Sequence, residues 1–197
     1  SLLLNVNTLR NVYLPEEKQE ALLISMDSQL HWLETMVKKL LTLLSMQKNA
    51  RHSENSVPEL LEQVQTLTGP VCAKYGVSLK TVCRANTFSM DSDLMCSALV
   101  NLVENSAKAS NPGDVIEVLA DQKGFVVMDH GRGIPEKELA RVTDPFYMGD
   151  PSRSKLSGGF GLGLALVKEI AAAHGGTLEL TSRPGQGTAA KIRLPKP

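Results

Sequence analysis

Ser157-Gly158-Gly159-Phe160-Gly161-Leu162-Gly163-Leu164 runs directly into Ala165-Leu166-Val167-Lys168-Glu169-Ile170. Four glycines within six residues let the backbone take positive φ and approach a ligand closely, and the apolar-periodic run that follows predicts a helix starting there. A glycine turn feeding a helix N-terminus is an anion site, because unpaired N–H groups and the positive end of the helix dipole point the same way. Phosphate is the expected anion. An ordinary turn is the alternative reading, so the weight of this stretch depends on what accompanies it.

Two other stretches agree with it. On a helical wheel from about Asp93 to Ala109, Met95, Leu99, Leu102, Val103 and Ser106 share one face, and Asn101, Glu104, Asn105 and Lys108 gather in a sector of about 100° opposite. Asparagine is an indifferent helix former, so two of them at i and i+4 point either to a solvated face or to amide oxygens wanted by a hard cation such as Mg²⁺, with a lysine nearby for phosphate. Further on, strands are predicted at Val115–Leu119 and Gly124–Met128. The second ends in Asp129-His130-Gly131-Arg132-Gly133-Ile134-Pro135. A carboxylate closing a buried strand can accept from the amino group of a flat base, and glycines strip side chains from the pocket wall; a turn-forming Asp-x-Gly is the competing reading.

Composition bounds the rest. The chain has 197 residues, 42% of them hydrophobic, with 21 basic and 21 acidic side chains. That suits one or two globular domains and gives no basic surface for nucleic acid. Cys72, Cys83 and Cys96 lack metal or disulfide spacing and read as reduced thiols. No long apolar span is present, and an opening on Ser1 within helix-like sequence suggests a piece of a longer protein.

The first fifty residues follow a different pattern. Leu23, Met26, Leu30, Leu33, Val37, Leu40 and Leu44 recur at steps of three and four, and Leu2, Val6, Leu9 and Tyr13 do so before Leu14-Pro15-Glu16-Glu17. Proline and two acids suit a first helical turn, so two helices joined by a short turn are predicted. Met36, Leu41 and Leu43 widen the apolar stripe beyond a two-helix seam, which predicts a homodimer through residues 1–50 as a four-helix bundle. His31 falls on the outward side of this helix. Residues 51–56 read as a linker, and 57–197 as a second domain opening with a helix from Val57 to about Lys74, a stop at Gly76 and a strand at Val77–Val82.

Four segments then fall in order: Asn101-Leu102-Val103-Glu104-Asn105-Ser106-Ala107-Lys108, Asp129-His130-Gly131-Arg132-Gly133-Ile134, Asp144-Pro145-Phe146-Tyr147 and Gly159-Phe160-Gly161-Leu162-Gly163-Leu164. Their order and spacing resemble the N, G1, F and G2 boxes of sensor histidine kinases of two-component systems. The resemblance covers essentially the whole chain. It implies an α+β fold: an N-terminal helical hairpin, then a GHKL-type, or Bergerat-type, α/β sandwich with a mixed sheet and a layer of helices.

The resemblance also implies roles. Asn105 would ligate Mg²⁺, with Asn101 beside it and Lys108 near the phosphates of ATP; Asp129 would take the adenine amino group; Gly131, Gly133 and Ile134 would shape the adenine pocket. Residues from about Tyr147 to Gly159 would form an ATP lid pinned by Phe146. Gly161, Leu162 and Gly163 would hold phosphate at its closing edge, and Thr188 would bind near adenine through water. The implied activity is transfer of the γ-phosphoryl of Mg-ATP to a histidine and onward to an aspartate of a response-regulator receiver domain, in the cytoplasmic portion of a membrane-anchored bacterial sensor.

Departures from the family pattern matter. None of His31, His52, His130 or His174 has the acid and Leu-Arg-x-Pro that follow the family's acceptor, so the phospho-acceptor is expected upstream of Ser1. Met148 stands where a basic lid residue is common and Ala109 where an aromatic is common, with Arg153 or Lys155 as possible substitutes. Two alternatives differ in kind. Other GHKL ATPases usually have a water-activating glutamate where Asn101 stands; a non-catalytic, nucleotide-binding dimer scaffold would dock a response regulator without transferring phosphate.

Overall fold

A computed structural model describes residues 2–45, 52–148 and 161–195. The chain divides into two compact units, Ser1–Leu41 and Thr42–Pro197.

In the first unit α1 (Leu2–Asn11) and α2 (Glu16–Ser45, running on past the boundary) are separated by the interruption read at Pro15, whose carbonyl accepts from Lys18 N at 2.9 Å. Glu16 and Glu17 occupy the first turn of α2, where the dipole favours them. Little packing joins the two helices. The apolar seam is consequently open: Leu23 is 56% exposed, Leu30 54%, Leu33 41% and Val37 48%. His31 is exposed, as expected of its outward position.

The second unit begins with a difference from the sequence reading. Ser53–Ser56, within the expected linker, is strand β1, paired antiparallel to β3 (Thr87–Met90) in the register Ser53↔Met90 to Ser56↔Thr87. Polar composition hid this strand; its backbone is paired all the same, and Asn55 Nδ2 donates to Met90 O at 2.8 Å. Of the other two expected linker positions, His52 is described and Arg51 lies outside the described residues.

Ser56 caps α3 (Val57–Tyr75), accepting from Glu59 N, and Gly76 closes it with φ 66°. Next come β2 (Ser78–Cys83), β3, α4 (Ser92–Ala109), β4 (Val115–Asp121), β5 (Gly124–Asp129), a single helical turn α5 (Glu136–Leu139), α6 (Gly163–Ala173), β6 (Thr177–Arg183) and β7 (Gly187–Arg193). Five strands form one sheet in the order β2-β4-β5-β7-β6, with β2 and β4 parallel and the other pairs antiparallel.

Period-two burial explains the layering. Ile116, Val118, Ala120, Phe125, Val127, Ala190 and Ile192 point from the sheet into one core shared with Leu60 and Val64 of α3, Leu99 and Val103 of α4, and Leu166 and Ile170 of α6. The opposite face keeps polar pairs, Lys80–Glu117 at 3.2 Å and Arg193–Glu179 at 3.3 Å.

His174 locks two helix ends together. Its Nδ1 lies 2.7 Å from Ile170 O, and its Nε2 accepts from Asp91 N at 2.9 Å, so the ring is neutral with its proton on Nδ1. This histidine stands at the end of α6. It caps, and it also ties that end to Asp91, whose Oδ1 in turn caps α4 at Leu94 N.

Candidate functional site

Asp129 is 5% exposed at the end of β5, and an ionised carboxylate buried there must be met by donors. Three meet it. Ser106 Oγ on α4 donates to Oδ2 at 2.9 Å, while Oδ1 accepts from Gly131 N at 3.0 Å and Thr188 N at 3.1 Å. A carboxylate offers about four lone-pair positions, so one remains.

Around it a hydroxyl chain ties the walls together. Ser182 Oγ on β6 donates to Gly187 O at 2.8 Å and accepts from Ile134 N at 2.8 Å. Thr188 Oγ1 lies 2.9 Å from Ser182 Oγ. Since the Ser182 proton is directed at Gly187, Thr188 is the donor in that last bond, which leaves the Thr188 oxygen with acceptor capacity. Asp129 and Thr188 thus present two acceptors side by side. Gly131 is required by packing: a Cβ there would run into the Ala109 carbonyl, the same oxygen that accepts from Arg132 N at 3.0 Å. Ser110 Oγ, beside this crossing, is buried and has no hydrogen-bond partner among the described residues.

The amide stripe of α4 differs from its helical-wheel reading. Asn105 is exposed and Lys108 half-buried, but Asn101 is buried at 5%, and its Nδ2 donates to Ser97 O at 2.7 Å. The wheel put Asn101 on the open side; α6 packs on α4 there. A Cβ on Gly163 would lie 3.3 Å from Asn101 Oδ1 and 3.4 Å from Asn105 Nδ2. The first turn of α6 therefore rests against both amides. No side chain caps that turn among the described residues, as an anion-receiving N-terminus requires. Lys108 makes no ion pair among the described residues.

Phe146 and Gly161 meet through the backbone. Phe146 N donates to Gly161 O at 3.0 Å, and a Cβ on Gly161, at φ 64°, would strike Tyr147 O. Phe146 itself takes φ 64°, a conformation rare for an aromatic residue, and the residue is 55% exposed. Arg141 stands over the Tyr147 ring at 4.5 Å. Gly159, Pro151, Arg153, Lys155 and the rest of the expected lid beyond Met148 lie outside the described residues.

The structure thus gathers Asp129, Gly131, Ile134 and Thr188 around one carboxylate, and Asn101, Asn105 and Gly163 at one helix junction. Ser106 and Ser182 were not expected in the site. Ser106 could have been found as a hydroxyl on an otherwise apolar helix face, which must have a buried partner. Ser182 carried no such signal.

The residues suit a magnesium nucleotide. Among the described residues no group of three His, Cys, Asp or Glu side chains could cage a metal. Mg²⁺ commonly takes one or two protein oxygens and completes its shell with phosphates and water, and the Asn105 amide beside an uncapped helix start fits that pattern.

Residues 90–197 match the family described as histidine kinase-, DNA gyrase B- and HSP90-like ATPase. The sensor protein SrrB of Staphylococcus aureus (strain NCTC 8325 / PS 47) is 31% identical over 195 residues, covering 93% of this chain and 33% of SrrB. The chain spans about a third of the length of such curated relatives. The mycobacterial sensor histidine kinase MprB superposes with a TM-score of 0.61 at 28% identity, over 73% of this chain and 97% of the other. Histidine kinase AdeS of Acinetobacter baumannii shares the fold over 98% of this chain and 93% of its own, with a TM-score of 0.76 at 20% identity. With this buried carboxylate, its partners and these likenesses together, the chain belongs to the histidine kinase-, DNA gyrase B- and HSP90-like (GHKL-type) ATPase family through residues 90–197, and along 93% of its length it is similar to a sensor protein.

Proposed function

We propose that the chain binds Mg-ATP and positions its γ-phosphoryl for transfer to a histidine outside this chain, for relay to an aspartate of a response-regulator receiver domain. The observation that carries the nucleotide assignment is the pair of acceptors at Asp129 and Thr188. An exocyclic amine has two N–H donors, and adenine presents such a group on a flat ring. Asp129 takes one of them directly, and Thr188 takes the other through water. Gly131, Gly133 and Ile134 leave the ring room, while Asn101, Asn105, Lys108 and the α6 start at Leu162 and Gly163 receive phosphate and Mg²⁺.

Phosphoryl transfer asks the protein mainly to position the donor and offset negative charge, so no nucleophile is needed on this side. Bound Mg²⁺ would supply charge neutralisation between the phosphates. The acceptor is assigned outside because no histidine here sits in the family's acceptor motif. Both ring nitrogens of His174 are also engaged within the fold.

The open seam of α2 supports a homodimer through residues 1–50, with receiver docking on the same bundle. The domain division is proposed at residues 51–56, where Ser53–Ser56 form strand β1 instead of an unpaired linker; the two compact units divide earlier in the chain, between Leu41 and Thr42. A cytoplasmic setting, as part of a membrane-anchored sensor, is proposed on the likeness to sensor proteins; among the described residues no helix is long and apolar enough to cross a membrane.

Calorimetric titration tests the nucleotide assignment. Mg-ATP is expected to bind the wild-type chain with 1:1 stoichiometry, and Asp129→Ala to lose at least about tenfold in affinity, the effect of one charged hydrogen bond. Unchanged affinity in a folded Asp129→Ala variant would remove the adenine assignment.

A further inference from the structure

A second concavity, of about 820 Å³, opens where β1, the β2–β3 connection, the β4–β5 turn and the Leu194 and Pro195 segment after β7 converge. No residue of the Asp129 network lines it. Its volume is in the range of small-molecule sites. Aromatic surface forms part of its wall: Phe88 is buried and packs on Phe125 at 5.5 Å, and the exposed His52 ring stacks on buried His174 at 5.0 Å with 21° between planes. Hydrogen bonds fix this wall, since His174 is held at both nitrogens and His52 Nε2 lies 3.2 Å from Ala173 O.

The charged lining is equally specific. Arg84 and Lys123 line the cavity, and neither makes an ion pair among the described residues. Their main chains are anchored, Arg84 N to Ala120 O at 2.7 Å and Lys123 O to Leu194 N at 3.0 Å. Among the described residues Glu54 is the lone acid in the lining. Apart from the histidines, the two cations and one carboxylate of the described lining leave a single net positive charge, which suits a monoanion better than a phosphate dianion. Guanidinium matches a carboxylate in particular, through paired N–H donors.

We propose that this cavity is a binding site for a small aromatic carboxylate, its ring against the His52 and Phe88 wall and its carboxylate between Arg84 and Lys123. Such a ligand touches β1 and β3 together with the β4–β5 turn, and so fastens the first strand of the unit to the five-stranded sheet. Binding therefore raises the melting temperature of this unit.

The test uses the full chain with 2-naphthoate as probe and 2-naphthol as its uncharged counterpart, followed by amide chemical shifts and thermal melting. The expected result is saturable 1:1 binding of 2-naphthoate with shifts at Arg84, Phe88, Lys123 and Leu194 and a raised melting temperature. Affinity for 2-naphthol should be at least about tenfold weaker, the worth of one charge-assisted bond. Arg84→Gln/Lys123→Gln should weaken 2-naphthoate at least about tenfold while melting as wild type without ligand. Equal affinity for the two probes, absence of saturation at millimolar concentration, or undiminished binding in the folded double variant would overturn the assignment. The two-probe comparison needs only the wild-type chain, so the proposal stays testable should the variant fail to fold.

Discussion

Ser106 shows at the level of one residue how the site is built from the fold inward. Its hydroxyl faces a buried carboxylate, so removing it leaves Asp129 short of one donor. Ser106→Ala is expected to cost about 1.5–3 kcal/mol of stability, the range for hydrogen bonds to charged groups, and to weaken Mg-ATP binding as well. Urea denaturation measures the first and calorimetry the second; a variant unchanged in both would mean the carboxylate does not depend on α4. Ser182→Ala should act differently. It breaks the bridge between Ile134, Gly187 and Thr188, so the predicted sign is weaker nucleotide binding together with faster amide exchange at Ile134. Asp129 was legible in sequence because a strand-ending acid followed by Gly-x-Gly is a local pattern. Its distant partners were not, since Ser106 and Thr188 reach it across 23 and 59 residues, the first through the packing of α4 on β5 and the second through the pairing of β5 with β7.

Elements that pack on themselves were readable, and elements defined by a distant neighbour were not. The α2 seam, the α3 stop at Gly76 and the β4–β5 pair all follow from periodicity and turn chemistry. β1 and β3 did not declare themselves, because four polar or mixed residues become a strand only when the other four arrive. Asn101 was misjudged for a related reason: a wheel gives the direction of a side chain but not which element lies there, and α6 covers it. The seam of α2 carries a prediction of its own. Light scattering at micromolar concentration should give two chains for wild type and one for Leu30→Asp/Val37→Asp, because charge at exposed seam positions opposes bundle formation. The variant should keep the melting transition of the second unit. A wild-type monomer, or a dimeric variant, would contradict the four-helix reading.

For the molecule as a whole, the buried thiols report on the integrity of the core. Burial raises the pKa of Cys72 and of Cys96, the latter with help from the charge of Asp93. The unfolded chain therefore releases these protons first. Their contribution to stability is complete below the ordinary thiol range, near pH 8.5, and is lost as pH climbs above it. Urea midpoints should fall between about pH 8 and pH 10 more steeply for wild type than for Cys72→Ala/Cys96→Ala, and equal slopes would argue against the buried assignment. Under native conditions iodoacetamide should modify Cys83, the exposed thiol, well before the other two. The central claim joins four elements, with α4 and β5 holding Asp129, β7 supplying Thr188 and α6 facing the phosphates. It is tested most directly by comparing ATP with inosine triphosphate in the presence of Mg²⁺. Inosine differs at the base edge by carrying a carbonyl where adenine carries its amine, so two acceptors in the protein would face a third. The account predicts affinity for ATP at least about 100-fold above that for inosine triphosphate, as for sites built around one polar group of a ligand. Equal affinities would contradict it.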